Sequence, residues 1–157
     1  MSIKLAAIFS DNMVLQHGIK IPVWGWSDPG DRITVELFPL AGSTLQRSSG
    51  QAGQKKSTVA DKNGKWNVIL NPLKVSLEHR TMTVSSKISK SSQSQNLQII
   101  NIIVGDVWVC SGQSNMEWFI TNSCNSAQEI AAANFPNIRL FTVPRAADIN
   151  PKQDIIG

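Results

Sequence analysis

The amino-acid sequence predicts a mainly β chain: an N-terminal antiparallel β-sandwich, Ig-like or jelly-roll-like, followed by the truncated start of an α/β unit. Three observations predict it. Apolar and polar residues alternate in short runs through the first hundred positions, with turn residues between the runs. From Leu97 the alternation gives way to apolar residues with little polar interruption. Net charge changes at the same place, from +6 over residues 1–100 to −2 over residues 101–157.

The first part reads as strands separated by turns. Ile33, Val35 and Leu37 alternate with Thr34 and Glu36; Trp66, Val68 and Leu70 alternate with Asn67 and Ile69; Met82 and Val84 alternate with Thr81 and Thr83. A period of two buries one face of a strand and wets the other, as in antiparallel sheets. Asp28-Pro29-Gly30-Asp31 has turn chemistry, with proline presetting one dihedral and glycine accepting positive φ. Asp61-Lys62-Asn63-Gly64 reads as a hairpin signal leading into the Trp66 strand. Ala41 to Ser57 and Ser85 to Asn96 are polar and read as long surface loops. The expected organisation is therefore a sandwich over residues 1–96 and a partial α/β unit over residues 97–157.

In the second part, Ile99 to Val104 and Val107 to Cys110 lack alternation, the habit of strands buried on both faces of a parallel sheet. Ser126-Ala127-Gln128-Glu129 is a capping-box pattern, and the alanine-rich stretch Ala127 to Asn134 reads as a helix that stops before Pro136. Ile138 to Val143 reads as another strand. Strand, turn, helix, strand is the beginning of a βαβ crossover.

Composition excludes several classes. The 157 residues are 41% hydrophobic and 17% charged, as expected of a chain with a core. No apolar run approaches the ~18–20 residues needed to span a bilayer. The basic residues are scattered, so no nucleic-acid partner is expected. Two cysteines make no disulfide scaffold and no metal-ligand spacing. Cys110 ends an apolar run and is expected as a buried thiol, with Cys124 in a polar loop. No secretory signal is readable at the N-terminus, and the compartment stays open.

Ser114 is the residue with chemical promise. It follows an expected buried strand and the step Ser111-Gly112-Gln113, where glycine permits a sharp turn and close approach of a ligand. A serine at a strand-to-helix junction serves either as a nucleophile beside free backbone N–H donors or simply as a helix cap; local residues alone favour the cap or turn. Gly112-x-Ser114 lacks the second glycine of the lipase-type elbow, because Met116 occupies that position.

The block Gly105-Asp106-Val107-Trp108-Val109-Cys110-Ser111-Gly112-Gln113-Ser114-Asn115-Met116-Glu117-Trp118 resembles the nucleophile block of the sialate O-acetylesterases, which are SGNH-type (GDSL-like) carbohydrate esterases. Ile8 to Gln16 is similar to that family's opening segment. Ile21 to Trp26, Asp28 to Gly30, Asp61 to Trp66 and Pro136 to Phe141 extend the likeness over most of the chain outside the two polar loops. Phe119 departs from it, standing where the family often has proline.

The resemblance implies an SGNH-hydrolase start over residues 97–157. It implies a serine hydrolase with Ser114 as nucleophile, its own N–H as one oxyanion donor, and an O-acetylated sugar, typically a sialic acid, as substrate. Gln113 and Asn115 become candidate substrate-binding residues. No cofactor or metal is expected. The family completes its oxyanion hole with a glycine and an asparagine, and its triad with an Asp and a His, from blocks that residues 1–157 do not contain. The two histidines, His17 and His79, lie in the sandwich part. Asp106, Glu117 and Asp154 have no histidine near them in sequence. A serine without a general base is a weak nucleophile, so little activity is expected of these residues alone, unless a second chain carries the missing blocks. The rival expectations are a non-catalytic carbohydrate-binding or interaction module and the product of an interrupted reading frame. The first rests on Trp24, Trp26 and Trp66, which could stack sugars, although a core role is the favoured one.

Overall fold

A computed structural model describes residues 2–40, 53–87 and 94–155. The described residues are mainly β, with eight strands in two sheets and one α-helix. The strands are β1 (Lys4–Leu5), β2 (Val14–Gln16), β3 (Ile21–Trp26), β4 (Arg32–Pro39), β5 (Gln54–Val59), β6 (Lys65–Leu70), β7 (Ser76–Lys87) and β8 (Ser94–Gly105). The three-stranded sheet has the order β1-β3-β6, and the five-stranded sheet β2-β8-β7-β4-β5. All pairings are antiparallel except β2 with β8, where Val14, Leu15 and Gln16 lie opposite Ile103, Val104 and Gly105.

The alternation read from the sequence sorts residues between core and water. Ile33, Val35 and Leu37 of β4, Met82 and Val84 of β7, and Trp66, Val68 and Leu70 of β6 all point inward. They share one apolar cluster with Ile21 and Val23 of β3, so both sheets contribute to the same core. Trp66 is 3% exposed and belongs to this core. Trp24 and Trp26 do not; they lie half-buried on the opposite face of β3, because Ile21, Val23 and Gly25 take the inward positions.

The turns behave as their chemistry dictates, with one change of role. Gly30 has φ +86°, and the Asp31 N–H donates to the Asp28 carbonyl at 3.1 Å. At the second turn Gly64 has φ +76°, and Asp61 Oδ1 accepts the N–H groups of Asn63 and Lys65 at 2.8 and 2.9 Å. This turn is not a hairpin. β5 pairs with β4 and β6 pairs with β3, so the turn carries the chain from one sheet to the other.

Further expectations are corrected. Ile99 to Val104, expected to open a separate parallel sheet, is part of β8 and pairs with β7, so the strand runs across the expected junction at 96/97. Its lack of alternation has a local cause. Arg80 faces Ile102 while Met82 faces Ile99, which leaves one extra residue in β8, and Asn101 there adopts φ +59°. A bulge of this kind resets which residues face inward. Gln54 to Ser57 are in β5, and Ser85 to Lys87 and Ser94 to Asn96 are in β7 and β8 rather than in loops. The rest of the two polar stretches, residues 41–52 and 88–93, lies outside the described residues.

Residues 107–110, expected as a buried strand, and 138–143, expected as another strand, have no regular structure. Trp108 and Val109 are 84% and 91% exposed, and Leu140 is 92% exposed. A strand needs a neighbouring strand to take its N–H and C=O groups, and among the described residues no strand pairs with these segments. The helix α1 (Ser126–Ala132) forms, but Ser126 is its first residue rather than its cap. Asn125, with φ +57°, stands at the cap and makes no side-chain capping bond, so the expected capping box is not made.

Candidate active site

Ser114 opens a single 3-10 turn (Ser114–Glu117). The Met116 N–H donates to the Gln113 carbonyl at 2.9 Å, which closes the turn. Gly112 permits it: a Cβ there would lie 2.7 Å from Met116 Cγ. Ser114 is exposed, as are Gln113 and Asn115 on either side. As the first residue of the turn, Ser114 has a backbone N–H that the turn itself does not use. Among the described residues no hydrogen bond joins the Ser114 hydroxyl to a histidine or a carboxylate.

A short second turn (Ile120–Asn122) and α1 follow. The Trp118 indole N–H donates to Ser123 Oγ at 3.3 Å, and Arg145 forms an ion pair with Glu117. Cys110 and Cys124 are both exposed free thiols, so Cys110 is not the buried thiol expected. Its segment has no sheet to enter.

The root of the Ser114 segment is held by β2 and the residues flanking it. Gln16 Oε1 accepts the Val107 N–H at 2.7 Å. The His17 N–H donates to the Gly105 carbonyl at 3.0 Å, and His17 Nε2 lies 3.0 Å from Asp106 Oδ1. Asp11 Oδ1 accepts the Ile100 N–H at 2.8 Å, and the Asn12 N–H donates to the Ile100 carbonyl at 3.1 Å. Arg139, beyond α1, returns to the same place: its guanidinium donates to the Met13 carbonyl at 3.2 Å, to Asn101 Oδ1 at 3.2 Å and to the Asn101 carbonyl. Burial lowers the Arg139 pKa from its ordinary value. Further on, Asp154 Oδ1 accepts the Ala7 N–H at 2.8 Å and Asp154 Oδ2 meets Lys4 Nζ at 3.1 Å.

These contacts give a role to residues that sequence reasoning read otherwise. His17 reads only as a histidine of the sandwich part, and Asp106 has no histidine near it in sequence. Folding pairs them across 89 positions. No local pattern could have shown this, since the partners meet only through the parallel β2–β8 pairing. His79 is exposed on β7, and its carbonyl accepts the Leu40 N–H at 2.9 Å. No hydrogen bond brings His17, His79 or Asp154 to Ser114 among the described residues. The same residues contain no group of three or more His, Cys, Asp or Glu that could hold a metal ion. None of their helices is long and apolar enough to cross a membrane.

No family model matches the chain. It is similar to the sialate O-acetylesterase of Mus musculus, with 28% identity over 145 residues, covering 89% of this chain and 24% of that protein. The Homo sapiens sialate O-acetylesterase is 27% identical over 158 aligned positions, covering 98% of this chain and 28% of that protein. Among solved structures, a carbohydrate acetylesterase from Xanthomonas citri superposes with a TM-score of 0.79 and 30% identity, over 99% of this chain and 31% of that one. The chain thus spans about a quarter of the length of the curated relatives it matches.

Proposed function

From the premise that this chain is sialate O-acetylesterase-like, we propose that it carries the nucleophile of an esterase that removes acetyl groups from O-acetylated sugars, typically sialic acids. The observation that carries the reading is the kinship itself. It extends over nearly the whole chain, and the chain includes the block Gly105 to Trp118 around an exposed Ser114.

In this reading the expected boundary at 96/97 moves to the end of β8: residues 1–105 are a β-sandwich accessory module, and residues 106–157 are the first part of an SGNH-type domain. The two sheets over a common core support the first assignment. The apolar residues of 107–143, exposed to water, support the second, because they have the composition of strands that a larger sheet covers.

The chemistry follows from the serine. Ser114 Oγ attacks the acetyl carbonyl carbon while its proton passes to a general base. The carbonyl oxygen gains charge, which the Ser114 N–H helps to hold. The C–O bond to the sugar breaks, the sugar oxygen takes up a proton, and acetate remains as an ester on Ser114. Water then attacks this ester and releases acetate. Gln113 and Asn115 flank the nucleophile and orient the substrate. No step needs a metal.

The base and the other oxyanion donors come from outside residues 1–157, on one polypeptide or on a second chain. His17 is engaged with Asp106, and His79 lies on β7. Residues 1–157 alone are therefore expected to show little Ser114-dependent turnover of an acetyl ester. Loss of a triad member typically leaves only about 10³–10⁴-fold acceleration over water. The test is an acetyl-ester assay on the purified chain, then on the chain mixed with a polypeptide equivalent to the remaining part of a relative. Activity that appears on mixing and disappears in Ser114→Ala is the expected result. Robust Ser114-dependent turnover by the chain alone, or restored turnover indifferent to Ser114→Ala, overturns it.

A further inference from the structure

A second feature lies away from Ser114, on the outer face of the three-stranded sheet. β3 and β6 pair so that Trp24 is directly opposite Asn67 and Trp26 directly opposite Lys65. All four side chains share the face turned away from the core. Residues directly opposite each other in an antiparallel pair have Cβ atoms about 4.5–5.5 Å apart. Two steps along a strand advance it by about 6.5–7 Å. The face therefore repeats one unit twice: an indole beside a hydrogen-bonding side chain.

This face is not open on all sides. The chain returns over it through residues 143–155, clasped by the bonds of Asp154 to Lys4 and Ala7. A compartment of about 330 Å³ lies between Trp24 and the returning segment, and a larger one of about 610 Å³ lies along β3 and β6, bounded by Thr58 and Val59 of β5 and touched by the returning segment only at Gln153. Trp24 and Gln153 line both, so the two compartments adjoin at an indole and an amide. Each compartment falls within the size range of small-ligand sites. The Lys4 ammonium lies 5.3 Å from the centre of the Trp26 ring, so a sugar stacking on Trp26 either takes the opposite side of the ring or displaces this ammonium.

We propose that these adjoining compartments bind a short oligosaccharide, independently of the chemistry at Ser114. A pyranose ring has one apolar C–H face and a rim of hydroxyls. It needs a flat, weakly negative surface for the face and fixed donors and acceptors for the rim. Trp24 and Trp26 supply the surface, and Asn67, Lys65 and Gln153 supply the hydrogen bonds. An apolar peptide would leave these polar groups without partners, and polar groups desolvated without hydrogen bonds oppose binding. The two-fold repeat favours at least two linked sugar rings over a monosaccharide.

Tryptophan fluorescence titrations with lactose, diacetylchitobiose and sialyllactose test the site on the intact chain. At least one of them is expected to give a saturable change in the millimolar range. Trp26→Ala is expected to weaken it about tenfold or more, and Trp26→Phe, which keeps a stacking ring, to weaken it less. Asn67→Ala, at an exposed position that leaves the core intact, is expected to weaken it too. Ser114→Ala is expected to leave it unchanged, which separates this site from the proposed active site. Absence of a saturable change with all three sugars overturns the proposal. So does binding that is indifferent to both Trp26→Ala and Asn67→Ala, or abolished by Ser114→Ala.

Discussion

At the scale of single residues, two carboxylates hold the fold by different means. Asp31 is buried at the corner where β4 begins. Its Oδ2 accepts hydrogen bonds from Ser27 Oγ at 2.8 Å and Ser86 Oγ at 3.1 Å. Asp31→Ala strands two buried hydroxyls and is expected to cost about 1–3 kcal/mol, read as a shift in the denaturation midpoint. Asp154 is a surface clasp. Its burial pushes its carboxyl up, but the bonds from Ala7 and Lys4 outweigh this and hold it below the usual carboxylate range. Its contribution to stability is thus complete above about pH 4 and is lost as pH falls through the lowered value. The expected outcome is faster proteolysis within residues 143–155 on acidification, before the core unfolds. Asp154→Asn should abolish that pH dependence; an unchanged profile in the variant counts against the clasp. Sequence reasoning found the turn residues because their chemistry is local, and it singled out Ser114, whose role remains a proposal, on the same local grounds. It missed the roles of Asp31, Gln16, Arg139 and the His17–Asp106 pair, because each depends on a partner far along the chain.

At the scale of elements, the alternating strands were legible because one face of each is buried. β4, β6 and β7 show the inward residues that their period of two predicts. β3 was harder. Two of its outward positions are tryptophans, and composition cannot tell an inward indole from an outward one. Gly25, between them, makes the difference in packing. A Cβ at this position would lie 2.0 Å from the Lys4 carbonyl oxygen and 2.8 Å from Trp66 Cζ2. The glycine lets β1 approach β3 while Trp66 fills the space beneath. Gly25→Ala is expected to destabilise the protein by about 1–3 kcal/mol or more, measured by chemical denaturation. A neutral effect would mean that β1 shifts freely. Residues 107–110 and 138–143 were read as strands from apolar content alone. Content without neighbours does not make a sheet, and these segments stay exposed.

At the scale of the whole molecule, the described chain divides into a packed core through Gly105 and a largely exposed continuation tethered to it. Apart from the tether residues, almost nothing after Gly105 is shielded from water. An exposed apolar surface of this extent favours association. Sedimentation is expected to show concentration-dependent self-association of residues 1–157. Both thiols are expected to react with a thiol reagent in the native state about as fast as in the unfolded chain, since Cys110 and Cys124 are exposed. A monodisperse monomer with protected thiols would contradict the arrangement of this segment. The sequence made the mainly β class legible through periodicity. The behaviour of the second part was not legible, because a run of apolar residues says what a segment needs and not what is there to meet it.

The parallel pairing of β2 with β8 also sets an order of events in time. β7 and β8 are neighbours in sequence and can pair as soon as both exist. β2 must wait for residues 103–105, some ninety positions later, before its only pairing among the described residues is available. Closing so long a loop is slow relative to local pairing. The strand that holds the root of the Ser114 segment is therefore among the last to be fastened, and a chain still emerging from the ribosome keeps its opening motif unpaired until most of the sheet is built.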